Sequence, residues 1–149
     1  MKNSPAAYWI INITAFLLIL LFVYTGLSKL NDKRTFEIVL LKSPLIKAYA
    51  TELTYLVPLA ELIIAFLLFF PSSRYWGLWA ALFIMVLLTL YLGYMIIFSP
   101  QLPCSCGGVI KKLSWRNHLL LNIIFIILPA LSIKLIKQHQ RFIAINRNS

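Results

Sequence analysis

Four long apolar runs limit what this chain can fold into. A helix needs roughly 20 apolar residues to cross the hydrocarbon core of a bilayer. Residues 8–27 read "YWIINITAFLLILLFVYTGL", 53–70 "LTYLVPLAELIIAFLLFF" and 75–98 "YWGLWAALFIMVLLTLYLGYMIIF". The fourth run, residues 118–136, is built on "LLLNIIFIILPALSI", and Lys134 and Lys137 lengthen it by snorkelling. Barrel strands would be shorter and would alternate polar with apolar residues. The expectation is an all-α integral membrane protein: a four-transmembrane-helix bundle in a single domain over residues 1–149, ending in a basic tail over 137–149. Composition agrees, because only 12% of the residues are charged, too few to clothe a water-facing surface. The four tryptophans, Trp9, Trp76, Trp79 and Trp115, sit at or near the ends of the runs, where interfacial anchors belong.

The first run is read as a retained helix. It is longer than the roughly 7–15 apolar residues of a signal-peptide core, only Lys2 precedes it, and no small-x-small cleavage site follows. The formal net charge of +10 would suggest nucleic acid in a soluble protein. Here the bases lie between apolar runs and at the C-terminus, and none forms a patch interleaved with aromatics. They read as contacts to anionic lipid, so the bilayer is the expected partner and nucleic acid is not.

The connections differ in character. "SKLNDKRTFEIVLLKSPLIKAYATE", residues 28–52, mixes Phe36, Ile38, Val39, Leu40 and Leu41 with Lys33, Arg34, Lys42 and Lys47. It is too charged to span and reads as an interfacial segment between helices 1 and 2, a short amphipathic helix broken before Pro44. "PSSR" is a tight turn. With four spans, both termini share a side with that turn and collect six Lys and Arg, against eight on the other side. The positive-inside rule weighs such counts, and by itself slightly favours a cytoplasmic face for the third connection.

That third connection, residues 99–117, contains both cysteines of the chain, in "PCSCGG". Cα atoms two residues apart lie within about 5.5–7 Å, at the edge of the disulfide range, so a Cys104–Cys106 bridge is feasible but strained. Strain makes a disulfide a better oxidant. Gly107 and Gly108 give the backbone the freedom such a ring needs. In "LSWRNHLLLN", Ser114 is an N-cap candidate and His118 falls in the first turn of the fourth helix. An imidazolium, Arg116 and a helix N-terminus each lower a thiol pKa, which is the setting of a reactive cysteine. Three readings stand: a redox-active or bridged pair, two inert small residues, or a Cu(I) or Zn²⁺ site in which His118 joins the two thiolates. A closed zinc site wants a fourth ligand, and none is evident.

Glu61 lies at the middle of the second run, where an unpaired ionised carboxylate costs several kcal/mol. It must face the bundle and be paired or protonated. Lys29, in "TGLSKL" at the end of the first run, is the best-placed cation, because that run ends on the side where the second begins. The pair reads either as interhelical glue or as a proton or quinone site. Asn12 and Asn122 read as interhelical hydrogen-bonding groups, and Tyr91 and Tyr94 as packing.

Four short-looped spans, "TGLSKL" closing the first, a glutamate in the second and a C-x-C-x-G loop before the fourth resemble the DoxX-like superfamily. Within it the chain is most similar to the methylamine-utilisation MauE branch of redox-associated membrane proteins. The resemblance covers residues 14–133 and rests on Gly26, Lys29, Glu61, Cys104, Cys106, Gly108, Trp115, His118 and Asn122. Gly107 stands where the common form of the loop has an aromatic residue. The resemblance implies a bacterial inner-membrane protein with cytoplasmic termini and a periplasmic cysteine loop. It also implies a role in maturing methylamine dehydrogenase beside a thioredoxin-like partner. On that reading one cysteine attacks a partner disulfide, the other resolves it, and His118 tunes the thiolate. Electrons then pass to or from the thioredoxin-like protein or a membrane quinone; no bound cofactor is required. The rival is a non-enzymatic membrane subunit or scaffold with a static disulfide, or a metal-binding membrane protein.

Overall fold

The computed structural model of the chain describes residues 5–43, 45–98 and 115–147. Among them there is no strand. The elements are α1 (Pro5–Asn31), α2 (Lys33–Leu41), a single 3-10 turn (Lys47–Tyr49), α3 (Ala50–Phe69), α4 (Arg74–Phe98) and α5 (Trp115–Arg147). The four long helices are each apolar enough, over at least 20 residues, to cross a membrane, as the four runs require. The chain is a multi-pass membrane protein.

Each helix buries one narrow stripe and leaves large apolar side chains outward. On α3 the buried residues are Ala50, Thr54, Pro58, Glu61, Ile64, Ala65 and Leu68, a three-and-four spacing that keeps them on one face. On α1 the matching stripe runs Thr14, Leu18, Phe22, Thr25 and Lys29. Phe16, Phe66, Phe83 and Leu90 point outward, which suits lipid as the surrounding solvent. The packed centre joins Leu18, Phe22, Ile64, Ala65, Leu68 and Met85. Both faces of each helix are apolar, so the bundle is held by close fit and by polar contacts between helices rather than by expulsion of water.

Two glycines permit that fit. A Cβ on Gly26 of α1 would meet Leu62 Cγ and the Pro58 carbonyl oxygen at 3.3 Å. One on Gly77 of α4 would meet the Leu68 nitrogen at 3.0 Å. The first contact sets the α1–α3 crossing and the second the α3–α4 hairpin. The turn between α3 and α4 satisfies the last carbonyls of α3 with side chains: Ser73 Oγ donates to the Leu67 carbonyl at 2.8 Å and Arg74 Nε to the Leu68 carbonyl at 3.3 Å. Arg74 Nη1 also donates to Asn12 Oδ1 at 2.7 Å, so Asn12 does link helices, with an arginine as its partner.

α1 and α3 run antiparallel. Gly26 meets Pro58 and Leu62, while Asn12 reaches Arg74 just past the end of α3. α2 packs on α3 beyond the end of α1: Thr51 Oγ1 donates to Glu37 Oε1 at 3.0 Å, and the Lys33 ammonium lies 5.0 Å from the Tyr55 ring centre. α2 stops at Leu41, three residues before Pro44, where the sequence breaks it.

The membrane-spanning part of α5, Leu119–Gln138, matches the expected 118–136 run, and the helix continues into the basic tail. It starts at Trp115 and stays helical to Arg147, at roughly 1.5 Å per residue about 50 Å of helix. Hydropathy marks where a helix leaves lipid, not where it ends, and the Lys, Gln, Arg and Ala of the tail are good helix formers. Lys137, near the end of the membrane-spanning part of α5, sits 5.3 Å from the ring centre of Trp79, near the start of α4. The two helices are therefore antiparallel as well.

Candidate functional site

The site begins with two charged residues that the sequence places in grease. Lys29 lies in the last turn of α1 and Glu61 just past the middle of α3. Because α1 and α3 are antiparallel and Gly26 lets them close, these positions face each other. Lys29 Nζ donates to Glu61 Oε1 at 2.6 Å. Their side chains are 6% and 2% exposed, so bulk water screens neither charge. The pairing that the two positions suggest is thus present. It is a salt bridge between two helices, within the span rather than at the surface.

The surroundings of the pair come from three elements. The Thr25 hydroxyl, one turn before Lys29, borders the carboxylate and also donates to the Phe22 carbonyl. Thr54, two turns before Glu61 on the same stripe, is buried and turns its hydroxyl to the Ala50 carbonyl at 2.7 Å. The Phe36 ring of α2 lies with its centre 5.8 Å from Lys29 Nζ, so an aromatic face covers the ammonium from the interface. Glu61 Oε2 has no hydrogen-bond partner in the structure. One carboxylate oxygen is held and the other is buried and unused.

Thr25 and Phe36 were not singled out by sequence reasoning. Thr25 carries a signal, since it is four residues before Lys29 and shares its face. Phe36 carries none, because its approach to Lys29 depends on how α2 folds back over the end of α1.

The cysteine site is only partly within reach. Cys104, Cys106, Gly107 and Gly108 lie outside the described residues. The backbone of Trp115 and His118 is in the first turn of α5, so the expected helical start holds, but the side chains of both lie outside what is described. Asn122, one turn on, is buried. α1 ends and α3 begins at the end of the bundle where α4 ends and α5 begins, so α2 lies at that end. The structure brings Lys29 and Glu61 into one site.

A family model described as Methylamine utilisation protein MauE matches residues 7–135. The chain belongs to the MauE family. The match takes in the four membrane helices, the Lys29–Glu61 pair and the segment with both cysteines. No curated protein and no solved structure matches the chain. Family membership and the four apolar helices agree that this MauE protein is built to sit in a lipid bilayer.

Proposed function

We propose that the chain is a thiol–disulfide redox protein of the bacterial inner membrane that assists disulfide formation or maturation of an exported partner, in a methylamine-utilisation type of system. The observation that carries this reading is the family match across residues 7–135, the range in which Cys104 and Cys106 fall. Kinship with the wider DoxX-like superfamily belongs to the same reading. Termini are cytoplasmic and the segment with Cys104 and Cys106 is periplasmic. The slight excess of Lys and Arg on that side yields to the chemistry, because disulfides persist on the oxidising face.

The exchange balances without a metal. A thiolate from Cys104 or Cys106 attacks a disulfide sulfur of the partner and displaces a partner thiolate, forming a mixed disulfide. The second cysteine then attacks its neighbour's sulfur, closing the Cys104–Cys106 bond and releasing the reduced partner. Run in reverse, the same steps oxidise the partner. Two electrons move in each cycle, and their other carrier is a thioredoxin-like protein or a membrane quinone. His118, at the start of α5, favours the thiolate by charge, together with the helix N-terminus. Gly107 and Gly108 let the short ring close, and Trp115 anchors the returning helix.

Trapping tests this. With the resolving cysteine replaced by serine, the partner is retained as a mixed disulfide that reductant releases on a non-reducing gel. With Cys104→Ser and Cys106→Ser combined, no such species forms. A chain whose double variant still matures its partner is a scaffold and not an exchanger.

A further inference from the structure

The bundle is more polar on one side of Glu61 than on the other. Towards the end that carries α2 lie Lys29, Thr54 and then the Thr51–Glu37 pair at the surface. Towards the α3–α4 turn the next layer is Leu18, Phe22, Ile64, Ala65 and Leu68, all buried. The Ser132 hydroxyl, next to Ile133 of that same cluster, is the buried polar group there, and Thr14 and the Asn12–Arg74 contact lie beyond the layer. A carboxylate oxygen in such a place must either bind a donor or stay desolvated. Oε1 is taken by Lys29, while Oε2 is buried without a partner.

We propose that Glu61 Oε2 is a proton-binding site reached from the membrane face that carries α2 and closed from the face that carries the α3–α4 turn. One proton binds and turns the carboxylate into a carboxylic acid, and no other bond changes. Lys29 holds Oε1 and so decides which oxygen receives the proton. The α2 segment, with Phe36 over the Lys29 ammonium, is the cover that a proton must pass. The inference does not depend on the thiol reading.

Lys29 is the charged group that faces the carboxylate from α1. On α2, Lys33 is directed to Tyr55 and Glu37 is engaged by Thr51. Asp32, Arg34 and Glu52 are exposed. On α4, Arg74 is at the far end with Asn12. On α5, Lys134 and Lys137 are exposed, and Lys137 lies over Trp79 at that far end.

The test uses the full chain, with Cys104→Ser and Cys106→Ser, in vesicles of one known orientation, fixed by where an impermeant reagent reaches a cysteine introduced as Ser72→Cys. Infrared difference spectra are recorded while pH is changed on one side at a time. The chain has three glutamates, Glu37, Glu52 and Glu61. The Glu37→Gln/Glu52→Gln variant therefore leaves Glu61 as the sole glutamate, and carbon-13 glutamate labelling assigns the band without altering Glu61. The expected result is a carboxylic-acid C=O band that moves with the label and appears on acidifying the α2 side, with no band on acidifying the turn side. A missing band, or one that follows the turn side equally, overturns the proposal.

Discussion

Lys29 and Glu61, 32 residues apart in sequence, meet at 2.6 Å between the last turn of α1 and the middle of α3. This contact, rather than the apolar stripe alone, fixes the register of the two helices. Lipid-facing and partner-facing residues are equally apolar here, so sliding one helix along the other would change little except the polar contacts. The ion pair and the Gly26 approach penalise any other register.

Removing one partner leaves the other buried and unpaired. Lys29→Met and Glu61→Met are each expected to destabilise the bundle by about 3–5 kcal/mol, with the double replacement recovering much of that loss. Denaturant unfolding in detergent across the four proteins of the cycle measures it. Additive losses would mean that the charges do not interact.

The glycines make a graded prediction. An alanine at Gly77 would press on backbone atoms of α3 at 3.0 and 3.1 Å, whereas one at Gly26 meets the Leu62 side chain and one carbonyl oxygen at 3.3 Å. At Gly93 an added Cβ meets nothing within 4 Å. Overpacking costs roughly 1–3 kcal/mol, so melting temperatures should fall most for Gly77→Ala, less for Gly26→Ala and least for Gly93→Ala. Equal shifts would contradict the packing described.

The spans were legible because a bilayer demands an apolar run, and a run of that length has few other uses. Lys29 and Glu61 were legible for the converse reason: charge within such a run needs a partner. Which helix pairs with which was not, since hydropathy does not distinguish lipid from a neighbouring helix. Thus Arg74, read from sequence as one more basic residue of a turn, proves to tie α1 to the α3–α4 hairpin through Asn12. Phe36 above Lys29 depends on the path of α2, a tertiary fact with no local signature. The basic tail was legible as charge, because charges report where lipid ends, whereas its helical continuation to Arg147 is not written in hydropathy.

The Arg74–Asn12 contact yields a third prediction, at the opposite end of the bundle. Asn12→Ala leaves a part-buried guanidinium without that acceptor, and a lost hydrogen bond to a charged group is worth about 1.5–3 kcal/mol. Asn12→Asp should keep or strengthen the contact. Comparing the unfolding midpoints of the two variants checks it, and equal losses would show that the contact contributes nothing.

If His118 tunes the thiols, His118→Ala should slow alkylation of the reduced chain at neutral pH by roughly 3–10-fold, with the difference vanishing at high pH where both thiols are ionised anyway. A constant difference at every pH would point to altered access rather than altered ionisation.

The central claim is that Cys104 and Cys106 exchange a disulfide on the outer face of the membrane. Intact cells treated with a membrane-impermeant maleimide, with and without prior reductant, test it most directly. The account predicts no adduct at either cysteine without reductant and adducts at both after it. Equal labelling before and after reduction, or labelling only once the cells are permeabilised, would contradict it.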